Sequence, residues 1–338
     1  MTWRTDLPPP GKRQKRAESV GSERRRRPPA AAGALFARGT VTRIEETSRP
    51  AGWSSILLAA DLSATASRPL HVALELARIY SAPLAAVHIP VLGAARGTHS
   101  AGGTKDPPQG GGGLSKERRR RLEERLSAVS HELILRGGES GQALFGMIER
   151  RKPDVLVLET AGDVRRGVAR AARGGQKNIA EEIFRRAPCA VLAVRPSAAA
   201  EEEDAATCFE RILYATDFSV ESLAAAPSAV SLASRAGAQL TLLHASDERQ
   251  PEEASAALET LRDLVPLGTR LFAKPRCLVE RGALAEVCLR LAAAEDSSLL
   301  VLGIARDEAG TYLGPRQTVA EAWDIAMRAS CPVLTVRS

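Results

Sequence analysis

Short apolar runs alternate with segments of helical periodicity along most of the chain, and the whole alternation occurs twice. In the first stretch, residues 55–60 form a continuous apolar run of strand length that stops at Asp61. Leu70, Ala73 or Leu74, and Ala77 then recur at helical spacing, with Pro69 tolerable in the first turn. Further strands are predicted at 84–89, 132–135, 155–158 and 189–194, and helices around 122–129, at 142–151 and from Asn178 onward. The second stretch predicts strands at 212–216, 240–244, 277–280, 299–303 and 333–336. Its helices are expected at 225–236, 254–265, 284–294 and 319–328. Buried strands alternating with helices at this spacing predict a parallel, doubly wound α/β sheet with right-handed crossovers.

The two stretches are copies of one another. Ile56-Leu57-Leu58-Ala59-Ala60-Asp61-Leu62-Ser63 returns as Ile212-Leu213-Tyr214-Ala215-Thr216-Asp217-Phe218-Ser219, and both Asp61 to His88 and Asp217 to His244 span 27 residues. The ends repeat as well, Ala187-Pro188-Cys189-Ala190-Val191-Leu192 against Ala329-Ser330-Cys331-Pro332-Val333-Leu334. Repetition over so long a period marks a duplicated domain rather than a solenoid. The expected organisation is a tail at 1–53, a first domain at 54–196, an acidic linker at 197–207 and a second domain at 208–338. The apolar ends 191–194 and 333–336 are edge-capable strands, and they are expected to pair antiparallel within one chain as an intrachain pseudo-dimer. Self-association into a homodimer is compatible with that arrangement.

Composition changes the picture in three places. The chain has 338 residues, 44% hydrophobic, and no apolar run approaches the ~18 residues of a membrane span, so no membrane insertion is expected. The net charge of +7 sits in residues 1–50, with 12 basic and 5 acidic side chains; the remainder balances at 35 of each. A Pro- and Arg-rich tail of this kind is expected to be disordered, either a solvated extension or a weak contact for polyanions. Five dispersed cysteines without a C-x-x-C fit a reduced, cytoplasmic setting, and Cys189 and Cys331 read as small core hydrophobes. His88 and His244 read as structural, and no zinc or nucleophile motif is present.

Ligands of open α/β sheets bind beyond the carboxyl ends of the strands. Asp61 and Asp217 end the first strands there, as acceptors for a base amino group or ribose hydroxyl or, alternatively, as helix caps. After the fourth strands, Gly162 and Gly175 accompany a run of arginines leading into Asn178, while Gly303, Arg306, Gly314 and Arg316 lead into Thr318. Both helix starts have capping-box form, and a glycine-bearing loop feeding a helix N-terminus is a ready anion site. A basic solvated loop is the competing reading.

Taken together, Ala215-Thr216-Asp217-Phe218-Ser219, Leu242-Leu243-His244 and the Cys-Pro-Val-Leu or Pro-Cys-Ala-Val-Leu endings resemble the universal stress protein family, over 54–196 and 208–338. The resemblance implies two tandem adenine-nucleotide-hydrolase-like (Rossmann-like) domains, each a five-stranded parallel sheet with helices on both faces. It implies a cytoplasmic stress-response module that binds an adenine nucleotide, ATP, with Mg as its candidate companion, and performs no turnover chemistry. A scaffold with degenerate pockets is the alternative. The family's Asp carries over to Asp61 and Asp217. Its G-x-x-G, nine residues, G-S/T motif carries over in part: Glu159 stands at the first glycine of copy one and Gly162 at the second. Copy two keeps Gly303, has Arg306 at the second glycine, and ends in Gln317-Thr318. The second copy is therefore expected to be the better nucleotide site.

Overall fold

A computed structural model describes residues 52–63, 67–89, 114–135, 141–160, 179–196, 208–246, 251–305 and 318–337. The expectations placed on residues 1–51 of the tail and on the acidic linker lie outside these residues, whereas Trp53 packs into the core. The first half runs β1 (Ile56–Ala60), α1 (Arg68–Tyr80), β2 (Leu84–His88), α2 (Lys116–Leu126), β3 (His131–Leu135), α3 (Gly141–Arg151), β4 (Val155–Glu159), α4 (Ile179–Arg186) and β5 (Ala190–Val194). The second runs β6 (Arg211–Thr216), a four-residue α5 (Val220–Leu223), α6 (Ala226–Ala236), β7 (Gln239–Ser246) and α7 (Pro251–Asp263). It continues through β8 (Arg276–Arg281), α8 (Leu284–Ala294), β9 (Leu299–Ile304), α9 (Val319–Arg328) and β10 (Val333–Arg337). All ten predicted strands form; α5 is the element that periodicity did not foresee.

The ten strands make one sheet in the order β3-β2-β1-β4-β5-β10-β9-β6-β7-β8. Pairing is parallel within each half. At the centre β5 and β10 are antiparallel, with Val333 opposite Ala193, Leu334 opposite Leu192 and Thr335 opposite Val191. Leu192 thus faces its own repeat, Leu334, and the pairs on either side are exchanged about it, so a pseudo-twofold axis passes through the Leu192–Leu334 pair. An edge that each half would otherwise expose is closed by the other.

Strand residues alternate between two cores, as period-2 geometry requires. Ile56 and Leu58 join α1, α2, α6 and α7 on one face. Leu57 and Ala59 join α3, α4, α8 and α9 on the other. Both cores run through the two halves. On the first face the Tyr80 hydroxyl lies 3.5 Å from Ser231 Oγ, and the Arg235 guanidinium lies 5.1 Å from the Tyr80 ring centre. On the second, Phe184 and Trp323 pack at 5.1 Å.

Two arginines clasp the seam reciprocally. Arg195, just past β5, donates to Met327 O at 3.4 Å and to Ala329 O at the end of α9. Its repeat Arg337 donates to Arg185 O at 3.0 Å and to Phe184 O at the end of α4. Terminal helix carbonyls have no intrahelical partner and carry partial negative charge, so each guanidinium satisfies the other half's last helix.

Candidate functional site

In each half the order of strands reverses beside the first strand, and the crevice at such a switch point is where this topology holds ligands. In the first half the reversal lies between β1 and β4, in the second between β6 and β9. Strand register makes Glu159 and Gly303 equivalent, since Ala59 faces Leu158 and Ala215 faces Leu302. The same Asp therefore borders two different crevices.

In the first half, Glu159 is 2% exposed and its Oε2 accepts the Asp61 N–H at 2.7 Å. Asp61 Oδ1 accepts Ser63 N–H at 3.0 Å, closing an Asx turn, while the N-cap of α1 is Ser67. The Leu62 N–H donates to His88 Nδ1 at 3.1 Å. An acceptor nitrogen carries no proton, so His88 is the Nε2–H tautomer, and its 3.8 Å approach to Asp61 Oδ1 is not an ion pair.

The second half repeats the turn with other partners. Asp217 Oδ1 accepts Ser219 N–H at 2.9 Å, and Ser219 caps α5. Thr216 Oγ1 takes the Phe218 N–H at 2.9 Å and meets Ser222 Oγ at 2.8 Å, while Tyr214 Oη donates to Ser222 O at 2.8 Å. Leu58 and Ala60 stand at the positions of Tyr214 and Thr216, so the first half has no hydroxyls there to hold such a helix. With Phe218 N–H spent on Thr216, His244 Nδ1 turns to Thr216 O at 3.0 Å. A carbonyl only accepts, so this nitrogen donates and His244 bears a proton on Nδ1. Phe218, at φ 62°, stacks on the His244 ring at 4.2 Å, which helps hold its left-handed backbone.

Gly303 has a packing reason of its own. A Cβ there would meet Glu221 O at 2.2 Å and Ser222 Cα at 2.5 Å, so the α5 backbone rests on β9 only because the side chain is missing. Burial works to raise the Asp217 pKa, but hydrogen bonds from Ser219 and Ser222 hold it below its ordinary value. Its carboxylate is ionised at neutral pH. The Asp217 N–H finds no acceptor on another residue among the described residues.

Thr318 caps α9 in a capping box: its Oγ1 accepts Glu321 N–H at 3.2 Å, and Glu321 Oε2 accepts Thr318 N–H at 2.9 Å. The Thr318 hydroxyl also donates to that carboxylate at 3.2 Å. Arg306, Gly314, Arg316, Gly162, Gly175 and Asn178 lie outside the described residues. Burial pushes the Cys189 and Cys331 thiols up to about 11 and Cys288 to about 12, so none is a ready nucleophile. Among the described residues no group of three or more His, Cys, Asp or Glu could hold a metal ion, and no helix is long and apolar enough to cross a membrane.

The sequence places both aspartates at the ends of the first strands, as observed, but does not show the Glu159 contact or the Tyr214–Thr216–Ser222 network. The signal for both was present as residue differences between equivalent positions of the repeats. Fold and crevice define a tandem doubly wound α/β protein. The profile of the Universal stress protein family matches residues 52–195 and 209–337, and the chain belongs to that family. A universal stress protein from Archaeoglobus fulgidus DSM 4304 superposes with TM-score 0.54 at 14% identity, covering 84% of this chain and 98% of that one. A protein of unknown function from Pseudomonas aeruginosa PAO1 gives TM-score 0.52 at 16% identity, covering 85% and 93%. No curated protein matches the sequence significantly.

Proposed function

We propose that the chain is a stress-response binding module whose second half takes an adenine nucleotide, ATP in the first instance, without turning it over. The observation that carries this reading is Asp217, an ionised, half-buried carboxylate at the switch-point crevice whose main-chain N–H meets its own carboxylate and no other residue's among the described residues. The carboxylate suits a ribose hydroxyl or a base amino group. Arg306 and Arg316, with Gly314 between them, supply charge and clearance for phosphates on the chain leading to Thr318, and Mg would share that charge. In this reading the protein works in the cytoplasm, and its basic tail contacts polyanions weakly.

Equilibrium binding of labelled ATP to the full chain tests it. Saturable binding that Asp217→Ala weakens at least tenfold, with no product formed over hours, is the expected result. Steady hydrolysis would make the protein an enzyme instead. One observation favours a scaffold with vestigial pockets: the Glu321 carboxylate already occupies the N-terminus of α9, where a phosphate would be repelled. Absence of ATP binding by the intact chain would establish that alternative.

A further inference from the structure

We infer that Glu159 is a built-in plug of the first half's crevice, so that the chain carries one nucleotide site and not two. The inference rests on the reading of the second half as a nucleotide site. The Glu159 carboxylate leaves the end of β4 and reaches the Asp61 N–H at the end of β1, across the point where the strand order reverses. A ligand of the first half would have to enter that crevice. The side chain is 2% exposed, so it is packed into the crevice rather than waving over it.

The second half has no side chain at the same place, where the main chain of α5 rests on β9 instead. Its equivalent residue is Gly303, and the Asp217 N–H finds no acceptor on another residue among the described residues. One donor, repeated by duplication, is therefore held by a distant buried carboxylate in one half and only by its own residue's carboxylate in the other. Glu159 acts against a nucleotide in three ways. Its atoms fill volume, its oxygen consumes the N–H, and its charge opposes phosphates. The first two do not depend on charge. A neutral side chain of the same shape whose amide oxygen accepts the same N–H keeps the plug in place.

Counting ATP sites on the full chain by isothermal calorimetry tests this. The wild type is expected to bind one ATP per chain, and Glu159→Ala and Glu159→Gly two, whereas Glu159→Gln stays at one. Adding Asp61→Ala to Glu159→Ala should remove the gained site and leave the original. Two sites in the wild type, or no gain in the Ala and Gly variants, overturns the proposal. A gain in Glu159→Gln equal to that in Glu159→Ala overturns it too, since charge alone would then be the obstacle. A wild type that binds none while Glu159→Ala binds one upholds the plug and sinks the reading of the second half. Should the variants fail to fold, amide NMR of the wild type decides: ATP is expected to shift the Asp217 amide and leave the Asp61 amide unmoved. Movement at Asp61 would overturn the plug.

Discussion

The two halves share one architecture and differ in how they finish the end of their first strand. The first closes the crevice with a side chain, Glu159, and turns its histidine into the Nε2–H tautomer. The second has no side chain there: it seats α5 on Gly303 through the hydroxyls of Tyr214, Thr216 and Ser222, and turns its histidine the other way. Duplication preserved the strands because their apolar character alone places them. The turn, held by a few hydrogen bonds, was free to diverge wherever a substitution supplied or removed a hydroxyl or a Cβ.

The largest test exchanges the two crevice residues. Gly303→Glu forces a Cβ onto main-chain atoms 2.2–2.7 Å away, which rigid backbone cannot yield cheaply. It should cost about 3 kcal/mol or more in urea unfolding. The reverse change, Glu159→Gly, loses a hydrogen bond and stiffens nothing, and should cost about 1–2 kcal/mol. Equal costs would show that α5 does not depend on the missing side chain.

The seam offers the opposite expectation, near-equality. Arg195→Ala and Arg337→Ala each remove charge-assisted bonds to the other half's helix end and should each cost about 1.5–3 kcal/mol. Urea midpoints of the two variants should fall together; a loss confined to one would show that the clasp is not reciprocal.

Thr216→Ala tests the histidines. With no Oγ1 to receive it, the Phe218 N–H should turn to His244 Nδ1, as Leu62 N–H does to His88. The ring ¹⁵N shifts of His244 should then move to the pattern of His88, at a stability cost of about 1–2 kcal/mol. Unchanged ring shifts would break the link between residue 216 and the tautomer.

The smallest effect concerns pH. Asp217 is held below its ordinary value, and so is Asp154, where burial pushes upward but Ser54 and Ser55 bonds prevail. Their folded forms bind protons later than the unfolded chain. The stability they contribute is present above the unfolded value, near 3.9, and is lost as pH falls through the folded values. Asp217→Asn should therefore flatten part of the decline in unfolding free energy below about pH 4, and Asp154→Asn another part. A decline as steep as wild type in both would remove these carboxylates from the acid response.

The sheet was legible because buried parallel strands are continuous apolar runs, and runs such as 212–216 or 333–336 need no tertiary knowledge to be seen. The antiparallel seam was legible for the same reason, from two apolar end strands, each with one edge unpaired in its own half. α5 was not. Val220–Leu223 is too short for periodicity to register, and it exists because Ser219 caps it and Tyr214 and Thr216, from a strand read only as apolar, reach up to it. Glu159 was noticed as a departure from the family's glycine, but its bond to Asp61 joins residues 98 apart in sequence.

The sequence by itself determined the duplication, the strand order's raw material, the place of Asp61 and Asp217 and the family. Burial of apolar runs is a local property that repeats faithfully. Tertiary structure alone decided which donor each acceptor meets: the Asp61 N–H on Glu159, the Nδ1 atoms of the two histidines in opposite roles, Gly303 beneath α5 and the Arg195–Arg337 clasp. Hydrogen bonds are short and directional, so their partners are fixed only once the packed strands have brought distant residues to within about 3 Å.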